Sequence, residues 1–283
     1  MLQWQDIEGR KSMNKLESKA TLDEKYAFAG VFGKKRAFIP FITCGYPNIQ
    51  TSKQIIYALA EQGADIIELG IPFSDPVAEG KTIQKANALA LQQGVHCEVV
   101  FDLVEKVRVK SKVKLAFMTY ANIVFAYGID KFVEKMASLG VGGLILADVP
   151  YEERDIFASA CEKCKVDFIS LIAPSSKSRI EIIAKKASGF IYCVSSLGVT
   201  GVRSEIDKGL ESIIDEIRKH SSVPVAVGFG ISNATQAKEV AKYADGVIIG
   251  SAIVKLCEQY GTQCVKHIAT FAKDIREALD NIK

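Results

Sequence analysis

Histidine is scarce in this chain, with three in 283 residues, and tryptophan occurs once. His96, His220 and His267 are far apart, and none closes a strand-like apolar run, so they do not mark a metal centre. No apolar run approaches the roughly 20 residues needed to cross a bilayer. The longest basic block is the short stretch at Lys34, Lys35 and Arg36, and 36 basic residues face 33 acidic ones for a net charge of +3. That balance carries no electrostatic footprint of a nucleic-acid binder. The first 24 residues mix both charge signs and lack an apolar core, which argues against a cleaved secretory signal. The seven cysteines are odd in number and scattered, as expected for a reducing, cytoplasmic protein. Cys161 and Cys164 form the one CxxC, with no second pair to complete a zinc site, and read as two helix cysteines without chemistry.

What is present is repetition. Eight short runs rich in Val, Ile and Phe recur along the chain: 37–43, 65–70, 114–119, 143–148, 167–172, 189–194, 223–228 and 245–250. Each is apolar on both faces, the pattern of a parallel strand covered on both sides. Between them, 51–63, 99–107, 129–139, 156–165 and 206–220 show helical spacing. Length alone leaves one large domain or two small ones open. Eight β-then-α units close most naturally into a single α/β domain, a (β/α)8 TIM barrel. The competing doubly wound sheet would want a glycine-rich fingerprint after the first run, and Thr43 to Pro47 supplies none. The barrel is expected over 35–283. Residues 1–34 are expected to form an N-terminal extension, a leader with a short covering helix, and Met13 offers a second start.

In such a barrel the active site lies at the carboxyl ends of the strands. Strand alternation puts Ile66, Glu68 and Gly70 on one face. Glu68 is thus a carboxylate in an apolar strand near its carboxyl end. It serves either as a proton donor and acceptor with a raised pKa or as one half of an ion pair bracing the barrel. The following loop adds Asp75 and Glu79, which either cap the helix near Lys81 or join Glu68 in acid/base work. Later, Gly228 to Asn233 and Gly250 to Val254 place Gly and Ser where strands give way to helices. Free backbone N–H groups there bind phosphate, or the turns are simple helix caps. The sixth loop, Ser195 to Gly201, carries glycines and hydroxyls suited to a closing lid. The residues alone therefore point to a barrel enzyme for a small phosphorylated substrate, without a metal.

Seven collinear motifs then resemble the tryptophan synthase α subunit family. They are Phe38 to Pro47, Glu68 to Pro76, Tyr120 to Asn122, Ala147 to Pro150, Gly198 to Gly201, Gly228 to Ser232 and Gly250 to Val254. The resemblance implies retro-aldol cleavage of indole-3-glycerol phosphate to indole and glyceraldehyde 3-phosphate. By position it makes Glu68 the acid/base and Glu79 the carboxylate that steadies the indole N–H. It puts the phosphate on Gly201, Gly230, Gly250 and Ser251, Phe41, Tyr120 and Tyr192 in the substrate pocket, and Thr200 where the lid closes. It also implies a partner, a pyridoxal-phosphate-dependent β subunit in an α2β2 complex that receives the indole. Asp75, Asn122 and Pro150 would lie near the contact. No cofactor is expected in this subunit.

Three departures stand out. The family's usual Asp is Glu79 here, and the proline that follows is Lys81, which is expected to loosen the loop; restoring Asp is expected to raise the rate. Tyr46 replaces a common Asp, and Ser196 and Leu197 stand in the lid. They open an alternative, an α subunit with weak or lost lyase activity that serves mainly as an allosteric activator of the β subunit. A different phosphate-binding barrel, such as an isomerase of a phosphorylated sugar amine, leaves the Pro72 to Pro76 loop unexplained.

Overall fold

Every apolar run of the sequence becomes parallel strand. The structure, a computed structural model, describes residues 21–33, 35–194, 209–228 and 230–282. Its strands are β1 (Ala37–Thr43), β2 (Ile66–Gly70), β3 (Lys114–Thr119), β4 (Gly143–Leu146), β5 (Asp167–Phe168), β6 (Ser170–Ile172), β7 (Ile191–Val194), β8 (Val225–Gly228) and β9 (Gly246–Ile249). The expected fifth run, 167–172, is divided at Ile169. Its first half pairs with β4 and its second with β7, and the Ile169 N–H still bonds to the Leu144 carbonyl at 2.9 Å. The hydrogen-bonded order runs β5-β4-β3-β2-β1-β9-β8-β7-β6. Since β5 and β6 are halves of one extended segment, the sheet returns on itself and the eight-unit barrel closes.

The helices are α1 (Ile49–Glu61), α2 (Lys81–Gln92), α3 (Cys97–Arg108), α4 (Ala121–Tyr127), α5 (Ile129–Ser138), α6 (Asp155–Lys163), α7 (Ile180–Lys185), α8 (Gly209–His220), α9 (Ala234–Val240), α10 (Ser251–Tyr260) and α11 (Cys264–Asp280). In α3, Val100, Phe101, Leu103, Val104 and Val107 are buried, a stripe at helical spacing that faces the sheet. Phe101 meets Phe117 edge-on at 5.7 Å between centroids, so Phe117 points outward from β3 to the helix layer. Alternation then sends Ala116 and Met118 into the barrel. The first helix starts sharply because the Asn48 side chain accepts the Thr51 N–H at 2.8 Å.

The amino-terminal ends of the strands are closed by rings from outside the barrel. Phe28 and Phe32 pack on Phe190 at 6.0 and 5.7 Å. A Cβ on Gly143 would lie 2.5 Å from the Phe28 ring, so the absence of a side chain there makes room for the plug. The Lys114 ammonium donates to the Ala27 carbonyl beside it. Where the sequence led us to expect a covering helix, the described part of the leader holds one 3-10 turn, Glu24–Tyr26. Burial of aromatic rings does the covering. No disulfide joins any of the seven cysteines; Cys161 lies in α6, and Cys164 is the residue that ends it.

Candidate active site

The carboxyl ends of the strands surround a cavity of about 520 Å³ lined by both glutamates. Phe41, Glu68, Glu79, Tyr192, Gly230, Gly250 and Ser251 of the expected residues reach it. Phe41 and Glu68 are direct partners in the β1–β2 register, and Glu68 is paired with Ala116 on its other side. All three face inward by alternation. Tyr192 from β7, Gly230 after β8, and Gly250 and Ser251 after β9 line the same space, together with Gly80, Ile83, Met118, Ile231 and Ile248. Two glycines shape it. A Cβ on Gly70 would come within 2.6 Å of the Phe41 ring, and one on Gly228 within 2.5 Å of the Tyr192 hydroxyl.

Glu68 is fully buried, and neither carboxylate oxygen has a hydrogen-bond partner among the described residues. Among the described residues no cation pairs with it, which disfavours the ion-pair alternative. Burial alone pushes its pKa up to about 8, so at neutral pH it is mainly a carboxylic acid with a proton to give. Tyr192 lies close enough to Glu68 and Glu79 that their charge adds to burial in holding its hydroxyl protonated.

Glu79 does not cap α2. Gly80 occupies the cap position and no side chain bonds to it; Asp75 instead accepts from the neighbouring Ser74 hydroxyl. Glu79 is 7% exposed, and its carboxylate accepts a hydrogen bond from the Tyr120 hydroxyl. That hydroxyl in turn accepts the Ala78 N–H at 3.1 Å, and the Tyr120 ring stacks on Phe73 at 4.8 Å. The loop is wrapped around one phenol. Burial raises the Glu79 pKa, and the Tyr120 bond opposes the rise. Tyr120, expected in the substrate pocket, is thus a support for Glu79 and is absent from the cavity lining.

The two loops expected to take phosphate differ. The Asn233 side chain caps α9, accepting the Gln236 N–H at 2.9 Å, so that helix end is already engaged. Gly230 reaches the cavity through backbone at φ +80°, a left-handed conformation favouring glycine. The α10 end has Gly250 at its cap and no side-chain hydrogen bond; the Ile253 amide bonds to the Gly250 carbonyl at 2.9 Å, which leaves the Ser251 and Ala252 amides for an anion. Thr200, Gly201 and the lid from Ser195 lie outside the described residues.

Sequence reasoning missed several members. Met118 and Ile248 were legible from alternation, since each is two residues from a position already facing inward. Phe73 and Asp148, whose carboxylate accepts the Ala121 N–H at 2.9 Å, lie inside two of the motifs without standing out in them, and Gln84 carried no local signal. Asp75 and Pro150 are exposed in the loops after β2 and β4, and Asn122 is exposed in the first turn of α4. Among the described residues no cluster suited to a metal ion occurs, and no helix is long and apolar enough to span a membrane.

Comparison with known proteins agrees with this geometry. A family model described as tryptophan synthase alpha chain matches residues 30–281. The chain is 50% identical over 252 residues to the tryptophan synthase alpha chain of Lacticaseibacillus casei, covering 89% of this chain and 95% of that one. It is 47% identical over 229 residues to that of Halalkalibacterium halodurans, covering 81% and 86%. Among solved structures, tryptophan synthase subunit alpha from Legionella pneumophila superposes with a TM-score of 0.79 at 32% identity, covering 88% and 94%. A chain from a study of mutual activation in the Pyrococcus furiosus tryptophan synthase α2β2 complex gives 0.79 at 32%, covering 85% and 98%. A barrel with two buried glutamates at its mouth, matched over nearly its whole length by these relatives, belongs to the tryptophan synthase alpha chain family, lyases that act on indole-3-glycerol phosphate.

Proposed function

We propose that this chain carries out the family's retro-aldol cleavage with Glu68 as acid/base and Glu79 as the carboxylate facing the indole N–H. One observation carries the reading: Glu68 is buried without a hydrogen-bond partner among the described residues, in the same cavity that Glu79 lines, and burial pushes its pKa up to about 8. Glu68 gives its proton to indole C3, and the ring nitrogen takes up positive charge. The Glu79 carboxylate accepts the N–H and stabilises that charge. The Glu68 carboxylate then takes the proton of the side-chain hydroxyl as the C–C bond breaks. The products are indole and the aldehyde of glyceraldehyde 3-phosphate, with Glu68 back in its acid form and no water consumed.

The phosphate rests on Gly230, Gly250, Ser251 and the open end of α10, joined by Gly201. Phe41 offers a flat apolar wall for the indole, and Thr200 closes the lid over the acidic loop. Asp75, Asn122 and Pro150 follow β2, β3 and β4, three adjacent strands, so they form one arc of the mouth. Val77 and Phe125, 81% and 51% exposed, add apolar surface to that arc, which supports docking of a β subunit there. Pyridoxal phosphate belongs to that β subunit, and this chain works without a cofactor, in the cytoplasm. Residues 35–283 act as one domain with 1–34 appended.

The activator-only alternative is disfavoured by Glu79, which keeps its carboxylate at the cavity despite the altered loop. The test is turnover of indole-3-glycerol phosphate by the chain alone and with its β subunit, followed through glyceraldehyde 3-phosphate. Glu68→Gln is expected to lower kcat by about 100-fold or more while a phosphate-bearing substrate analogue still binds. No turnover by the wild type in either setting, with the β reaction still accelerated, would leave only the activator role.

A further inference from the structure

Gln84 sits on the first turn of α2, exposed to solvent and outside the cavity. Its carboxamide nitrogen donates to the Glu79 carbonyl at 2.8 Å and lies 3.4 Å from the Pro76 carbonyl. Pro76 and Glu79 are the two ends of the acidic turn. One side chain therefore ties both ends to α2, while Tyr120 holds the inner edge through Ala78 N–H and the Glu79 carboxylate. Lys81 follows without the backbone restriction of a proline. The expected loosening at Lys81 is answered in this chain by side-chain hydrogen bonds from 84 and 120.

We propose that Gln84 is a positioning residue for Glu79: its amide N–H groups clamp the Pro76–Glu79 turn onto α2 and so aim the Glu79 carboxylate into the cavity. This rests on the proposed role of Glu79. A displacement of about 1 Å in a reacting group costs on the order of 100-fold in rate. Losing one clamp while Tyr120 remains is expected to cost part of that, about tenfold.

The test uses the full chain with its β subunit and measures kcat and KM for indole-3-glycerol phosphate. Gln84→Ala is expected to lower kcat about tenfold with KM within about twofold, because phosphate and ring contacts are untouched. Gln84→Glu keeps the shape but loses the donor, and is expected to fall as far. Gln84→Lys restores a donor and is expected to recover part of the rate. In a Glu79→Gln background, Gln84→Ala is expected to cost no more than about twofold, since its effect runs through Glu79. Full activity in Gln84→Glu, or an undiminished tenfold loss in the Glu79→Gln background, overturns the proposal. Wild-type turnover in Glu79→Gln alone overturns the role of Glu79 itself, and that result is read separately from any Gln84 variant.

Discussion

Phe41 and Glu68 stand side by side in the β1–β2 register, an aromatic ring against a carboxylate that has no hydrogen-bond partner among the described residues. An apolar neighbour cannot stabilise a negative charge as water does, so the proton stays on Glu68 up to a pH near 8.

That proton has a consequence for stability. In the unfolded chain Glu68 ionises near the ordinary 4.5, and in the folded protein near 8. Between those values the native state binds more protons, so stability is full below 4.5 and falls as pH rises through 8. At about 1.4 kcal/mol per unit, the loss has an upper limit on the order of 5 kcal/mol. Glu68→Gln removes this dependence. Urea unfolding of both proteins at pH 6 and pH 9 should show the variant gaining on the wild type at the higher pH. Parallel curves would show Glu68 to be ionised or solvated.

Glu79→Asp is expected to lower turnover. The family resemblance by itself implies the opposite, because Asp is the usual residue. In this chain, however, the longer side chain reaches the Tyr120 hydroxyl, and removing a methylene withdraws it. A loss of about tenfold in kcat is expected, with Tyr120→Phe giving a similar loss and the double variant little more. A faster Glu79→Asp enzyme would contradict the Tyr120 contact as a functional support.

Gly70→Ala should act through Phe41. The new methyl meets the ring at 2.6 Å and drives it toward the cavity where the substrate's flat ring would lie. The measurement is affinity for an indole-bearing substrate analogue against affinity for glyceraldehyde 3-phosphate. The first should fall at least about tenfold while the second changes little. Equal losses would place the damage in the fold and not in the pocket.

Phe28→Ala tests the plug at the closed end of the barrel. Deleting a buried Phe commonly costs about 3–5 kcal/mol, and this one is 2% exposed against Phe190 and Gly143. Chemical denaturation should show that loss. A change below about 1 kcal/mol would mean that the 21–33 segment is not part of the folding unit.

The sequence by itself determined the order of the units, the single barrel, the inward face carrying Glu68 and the Gly-Ser turns at the mouth. These are legible because strand alternation and helical spacing are local, repeating every two or 3.6 residues, and a run of six residues already displays them. It also marked Phe41, Tyr192, Gly230, Gly250 and Ser251, all of which line the cavity. Only the tertiary structure decided whether Glu68 met a cation, what closed the far end of the barrel, and how the acidic loop is held. Glu68 in the sequence fits an ion pair as well as a catalytic acid, because the choice depends on which strands place which side chains around it. Tyr120 meets Glu79 across 41 positions, and Phe28 meets Phe190 across 162 positions, from 28 to 190. Such pairings follow from how the sheet closes, and no local period encodes them.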